Sequence, residues 1–172
     1  MPEEYELKQA AIRLVETSPL YSKEKITCPE DAVRILAKEL RTYDREVFCV
    51  VNLRSDNAPI NFSICSMGAL NACAAHPREV MKSAVLSNAA SIIVIHNHPS
   101  GSLTPSRFDF EVTDRLTKAC DIMEIPLIDH IIIGAGNSGK YFSFAENKIL
   151  DIKPEKKEKL SEMEMSNREC FM

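Results

Sequence analysis

No two of the six cysteines, Cys28, Cys49, Cys65, Cys73, Cys120 and Cys170, stand in a C-x-x-C pair. A zinc finger needs that kind of spacing, so neither a finger nor a disulfide framework is expected. Several of these cysteines lie in apolar segments and read as small buried hydrophobes in a reducing cytosol. The chain also lacks any apolar run approaching the roughly 18 residues that span a bilayer. Its first residues, MPEEYELKQA, are acidic and polar where a signal peptide would be basic and then apolar. A cytoplasmic protein with no membrane partner is expected. A basic excess is missing too: 21 Lys and Arg stand against 25 Asp and Glu, a net charge of −4. A strongly basic nucleic-acid binder is therefore not indicated, although a local basic patch would escape this sum. No internal repeat is apparent.

What remains is ordinary for a folded domain. The 172 residues suit one domain with short additions at each end. Hydrophobic residues make up 45% and charged residues 27%, enough for a core that needs no staples.

Tyr5 to Glu16 places Leu7, Ala10, Ala11, Leu14 and Val15 at helical spacing. PEDAVRILAKEL reads as a second helix, with Pro29 in its first turn and Glu30 and Asp31 complementing the dipole. Glu46 to Leu53 (EVFCVVNL) is almost continuously apolar, as in a central strand. RSDNAP fits a turn, and Ile60 to Cys65 reads as the partner strand. MGALNACAA fits no single element. HPREVMKSAVLSNA predicts a helix with Val80, Ala84 and Val85 on one side, and Ser91 to Ile95 a short buried strand. From Pro105 a helix is expected, capped by Thr104, with Phe108, Val112, Leu116, Ala119 and Met123 as its apolar stripe. IPLIDHIIIG and KYFSF read as strands. Beyond Leu150 alternating charges predict a solvated helix or a disordered tail. Interleaved helices and strands indicate a mixed α/β domain.

The chemistry lies in HNHPSGSLTPSRFD. His96 and His98 are two apart at the end of a buried strand, so both point to one face and Asn97 points away. Pro99, Ser100 and Gly101 form a turn that lets the chain double back. Ser106 and Asp109 are three apart at the opening of the returning helix, on one face of it. Two imidazole nitrogens and one carboxylate make three ligands and leave a fourth position for water, the pattern of a catalytic zinc site. Taken singly each residue has a blander reading: a core or surface histidine pair, a dipole-complementing Asp109, a capping Ser106. The joint spacing, after a buried strand and before a helix, is what favours the metal.

His96-x-His98, seven residues, Ser106, two residues, Asp109 matches the JAMM signature at each required position. With the surrounding HNHPSG, the later PSRFD, the upstream HPRE and the downstream IPLIDHIIIG, the chain resembles the RadC branch of the JAMM (MPN+) metallopeptidases over roughly residues 25 to 150. The resemblance implies an α/β domain of α+β type with a cytidine-deaminase-like JAMM/MPN+ fold. In it a mixed β-sheet is flanked by helices, with a zinc site at the sheet edge. It implies one Zn2+ held by His96, His98 and Asp109, with Ser106 supporting an oxyanion. A glutamate from an early strand serves as general acid/base, and the chemistry is hydrolysis of peptide or isopeptide bonds. Glu46 takes the glutamate role, because it opens the apolar strand; Glu79 of HPRE is its competitor. His76 and His130 are candidates for supporting positions, and His130, inside an apolar strand, leans toward an ordinary core histidine.

The implied organisation is an N-terminal helical extension over 1–43, a RadC-like catalytic domain over 44–150 and a charged tail over 151–172. The stretch before Glu46 is too short for the helix-hairpin-helix region of full-length relatives, so a stand-alone catalytic domain is expected. The expected partner is a peptide or protein substrate. The family's historical DNA-repair label keeps a nucleic-acid role as a second hypothesis, one that would show as salt-dependent binding. A non-catalytic interaction module is the third. Gly134-Ala-Gly136-Asn-Ser-Gly139 fits G-x-G-x-x-G, but the segment after it reads as a strand, so a hairpin loop is expected rather than a dinucleotide site.

Overall fold

Pro29, Glu30 and Asp31 open a helix where the sequence predicts one. The computed structural model describes residues 24–68, 75–136 and 139–150, with Leu14, Val15, Thr17 and Leu20. The helix α1 spans Pro29–Leu40. Asp31 holds its start, its carboxylate accepting hydrogen bonds from the Thr27 and Cys28 amides at 2.9 and 3.2 Å. Ala32, Val33, Leu36, Ala37 and Leu40 form its buried stripe.

Five strands make one sheet in the order β2-β1-β3-β4-β5. They are β1 (Val47–Leu53), β2 (Pro59–Met67), β3 (Ser91–His98), β4 (Leu127–Gly134) and β5 (Tyr141–Ser143). β1 is antiparallel to both β2 and β3, and β4 is antiparallel to β5. β3 and β4 are parallel, which requires a crossover. The helix α3 (Arg107–Met123) supplies it. A helix α2 (Pro77–Leu86) joins β2 to β3.

β1 and β3 are buried along their whole length, as strands covered on both faces must be. Period-two alternation sends their side chains to two separate cores. Val47, Cys49, Val51, Ile93, Ile95, Ile131 and Ile133 pack under α1. Phe48, Val50, Ile92 and Val94 pack under α2 and α3, against Val80, Ala84, Val112, Leu116 and Cys120. The result is three layers, with α1 on one side of a mixed sheet and α2 and α3 on the other. This is the α+β architecture expected of the fold. His96 and His98 continue the Ile92–Val94 face, so both fall on the α2 and α3 side.

Several local expectations are corrected. Val85 is 45% exposed, and the inward face of α2 is Val80, Met81, Ser83 and Ala84. In α3 the buried set is Asp109, Phe110, Val112, Thr113, Leu116 and Cys120, whereas Phe108 and Met123 face outward. The stripe is rotated because Asp109 and Thr113 are polar residues turned inward, and they carry no hydrophobic signal. Ser106, not Thr104, caps α3, and Pro105 precedes the helix. Cys49 and Cys120 are buried as expected, but Cys28 is exposed and Cys65 half-buried. Cys73, Cys170, MGALNACAA from Ala69 to Ala74 and the charged tail lie outside the described residues. So does the helix expected over Tyr5 to Glu16, apart from Leu14 and Val15, which are exposed.

Candidate metal centre

β3 ends in His96 and His98, and α3 begins beside them. The chain returns through the turn after His98, closed by the Gly101 amide donating to the His98 carbonyl at 3.0 Å. Gly101 adopts φ +81, a left-handed conformation that glycine tolerates without strain. The return brings Asp109, at the third position of α3, against the two imidazoles. His96 Nε2 and His98 Nε2 are 2.9 Å apart. Asp109 Oδ1 lies 3.2 Å from His96 Nε2, and Oδ2 lies 3.7 Å from His98 Nε2. All three residues are buried, with one donor atom from each within 4.8 Å of the others. The structure therefore brings together the three ligands read from the sequence, at the end of the central strand.

Ser106 and Asp109 form a reciprocal cap. Asp109 Oδ2 accepts from the Ser106 amide at 2.6 Å and from its hydroxyl at 2.7 Å. Burial alone would raise the Asp109 carboxyl. Hydrogen bonding and charge from His96, with His130 and Ser106 adding to it, outweigh burial and hold it below the ordinary carboxylate range.

The chemistry of this donor set fits a cation. His98 Nδ1 lies 2.9 Å from the Ser102 carbonyl, which can only accept, so Nδ1 carries the hydrogen. Burial, and then the neighbouring His96, push the His98 imidazole below its usual pKa, which keeps it neutral near pH 7. Its Nε2 is then a bare lone pair, facing another imidazole nitrogen and a carboxylate. Such a cluster could hold a positive ion among its members. Two imidazoles and one carboxylate are an established ligand set for zinc.

Glu46 stands just before β1. Phe48 pairs with His96 in the antiparallel register, and their rings stack at 5.8 Å. Continuing that register by two residues sets Glu46 beside His98, on the same face. Glu46 is half-buried and lines a small cleft with Val47, Phe48, His96, Phe108, Asp109 and Val112. Glu79 is elsewhere: in the first turn of α2 it pairs with Lys82 at 2.6 Å and does not line this cleft. A larger groove between α1 and the β4–β5 loop, lined by Arg34, Lys38, Arg41 and Tyr141, shares no residue with the cluster.

Two supporting residues, Asn97 and Thr113, escaped the sequence reading, and a third, His130, was a candidate that leaned toward an ordinary core histidine. Asn97 does turn away from the histidines, but its buried amide grips the backbone on either side of Glu46. Its Oδ1 accepts from the Val47 amide at 2.7 Å and its Nδ2 donates to the Arg45 carbonyl at 3.0 Å. His130 is not an ordinary core histidine: its Nε2 lies 2.8 Å from His96 Nδ1. Thr113 reaches the other nitrogen of His130, at 2.6 Å. The available signal was an ionisable residue inside the apolar strand β4, next to the strand carrying both ligands. His76 caps α2 instead, accepting from the Arg78 amide. The G-x-G-x-x-G segment lies between β4 and β5, so the element that comes next is a strand and not a helix, as expected. Gly134 is needed for space, because a Cβ there would stand 2.6 Å from the Gly101 carbonyl oxygen.

Residues 26–149 match the family described as RadC-like JAB domain. The chain is 49% identical over 111 residues to a UPF0758 protein of Caldanaerobacter subterraneus subsp. tengcongensis, covering 64% of this chain and 48% of that one. It is 48% identical over 128 residues to a UPF0758 protein of Clostridioides difficile, covering 74% of this chain and 53% of the relative. A UPF0758 protein of Methanosarcina mazei is 39% identical over 134 residues, covering 78% and 57%. The match thus spans about half the length of these relatives. The chain belongs to the RadC-like JAB domain family, as the motif resemblance implied.

Proposed function

We propose that this RadC-like JAB domain is a zinc-dependent hydrolase, a metallopeptidase or isopeptidase of JAMM type acting on a peptide or protein substrate. His96, His98 and Asp109 would hold one zinc ion, with Glu46 as general acid/base and Ser106 as oxyanion donor. The observation that supports this most is the convergence of three buried ligand atoms from β3 and α3 on one point, beside a cleft that Glu46 lines. A zinc ion bound there would lower the pKa of water to about 7 and polarise a substrate carbonyl.

The chain's own residues supply the rest. Glu46 is on the cleft side of the ligands, where its carboxylate takes a proton from the attacking water and passes it to the leaving nitrogen. Ser106 is exposed at the start of α3 and donates its hydroxyl to Asp109 Oδ2. Rotation of that hydroxyl toward the cleft would let it donate to the oxyanion as charge develops. Phe48 and Val112 wall the cleft with apolar surface, which limits water and strengthens these interactions.

The test pairs metal binding with hydrolysis of a peptide and isopeptide panel. Glu46→Gln should retain the metal and lose activity by about 10^2- to 10^4-fold, the usual worth of a general acid/base. Glu79→Gln should change neither. Metal loss in Glu46→Gln, or full activity in it, would remove Glu46 from the role assigned.

A further inference from the structure

Thr113, His130 and His96 form one hydrogen-bonded chain, and its proton positions follow from which atoms can donate. The Thr113 hydroxyl touches two groups, the Asp109 carbonyl at 2.5 Å and His130 Nδ1 at 2.6 Å. It has one hydrogen. The carbonyl has none, and two oxygens so close need a hydrogen between them, so the hydroxyl donates to the carbonyl. His130 Nδ1 must then carry its own hydrogen and donate to Thr113. His130 is fully buried, and the partners of its two ring nitrogens are a threonine hydroxyl and another imidazole, a setting that favours the neutral ring. Its Nε2 is therefore a bare acceptor. His96 Nδ1, at 2.8 Å, must be the donor to it. That leaves the His96 lone pair on Nε2, the atom facing His98 and Asp109.

We propose that Thr113 and His130 are positioning residues that lock His96 in the tautomer able to bind metal. The inference rests on the metal-site reading above and deepens it. The chain begins at the main-chain carbonyl of Asp109 and ends beside the carboxylate of the same residue, so the helix that brings one ligand also sets the proton on another. The rings cannot turn away. His130 stacks on Phe144 at 4.6 Å and meets the edge of Phe48 at 5.4 Å, while Phe48 stacks on His96. Outer partners of this kind fix ring orientation and tautomer in histidine metal sites.

The discriminating variant is Thr113→Val, which keeps the shape and removes the hydroxyl. With no acceptor for its Nδ1 hydrogen, His130 moves that hydrogen to Nε2 and donates to His96 Nδ1. The His96 hydrogen is then forced onto Nε2, against the metal. Thr113→Ser restores the hydroxyl and should restore the original state. The readouts are long-range proton–nitrogen NMR of the imidazoles in the full chain stripped of metal, and zinc titration of the same samples. The wild type and Thr113→Ser should show His130 protonated at Nδ1 alone and His96 protonated at Nδ1. Thr113→Val should show the reverse, with zinc affinity weakened roughly tenfold. His130→Phe, which keeps the stacked ring, should weaken zinc by about 10- to 100-fold. A wild-type His130 carrying its hydrogen on Nε2, or unchanged zinc affinity in Thr113→Val, would overturn the proposal. If no variant nor the wild type bound zinc, the hydrolase reading would fall, while the NMR pattern would still decide the relay.

Discussion

At the scale of single residues, the site divides into atoms that bind and atoms that hold. Asp109→Ala removes a ligand and leaves two facing imidazoles without their carboxylate. It should lower metal occupancy sharply, as read by elemental analysis of purified protein. Asn97→Ala acts differently. It touches no ligand, but it strands the buried Val47 amide and the Arg45 carbonyl, at about 1–3 kcal/mol for each group left unsatisfied. Urea unfolding should show that loss, while zinc binding stays near the wild-type level. The cluster of His96, His98 and Asp109 was legible in the sequence because HxH, Ser106 and Asp109 lie in one short segment whose spacing follows strand and helix periods. The contacts of Asn97 and Thr113 were not, and His130 was only a candidate, because their roles depend on which strands become neighbours. Nothing local tells that β1 and β4 flank β3, so nothing local tells that Asn97 meets Arg45 or that His130 meets His96.

At the scale of elements, two turns carry testable consequences. Gly134→Ala would press a methyl to 2.6 Å from the Gly101 backbone oxygen, and backbone cannot step aside as a side chain can. Overpacking of this kind costs about 1–3 kcal/mol. It should register as a lower thermal midpoint together with weaker zinc binding, since the same turn holds His98. At the other end, Asp31 secures the start of α1. The Thr27 amide, with the Thr27 hydroxyl adding to it, holds its carboxyl well below the ordinary range. A folded-state pKa below the unfolded value means the stabilisation is complete above about pH 4 and is lost as pH falls further. Asp31→Asn should therefore lower the urea midpoint near neutral pH, and the gap to wild type should begin to narrow as the pH falls below about 4. The helix α1 was readable nearly to the residue, because its proline, its acids and its apolar stripe agree. The face of α3 was misread for a physical reason: Asp109 turns inward to His96 and Thr113 to His130, and a hydrophobic count assigns such residues outward.

At the scale of the whole molecule, a parallel pair at the centre of a mixed sheet places the crossover helix α3 beside the end of β3. That single topological feature unites His96 and His98 of β3 with Asp109 of α3, and it sets Glu46 of the antiparallel neighbour alongside. Alternating strands and helices indicated the layers, but the strand order β2-β1-β3-β4-β5 is a pairing outcome that one-dimensional patterns do not contain. Because the centre ties two elements together, zinc should stabilise the fold as a ligand does, by about 2.7 kcal/mol at a hundredfold excess over Kd. A chelator should lower the thermal midpoint accordingly. Among the described residues no helix is long and apolar enough to cross a membrane. The most direct test of the account is the metal content of the purified chain by elemental mass spectrometry, beside a His96→Ala/His98→Ala variant. Near-stoichiometric zinc in the native chain and none in the variant is the result the account predicts. No bound metal in the native chain, even after zinc is supplied, would contradict it and leave an interaction module as the leading reading.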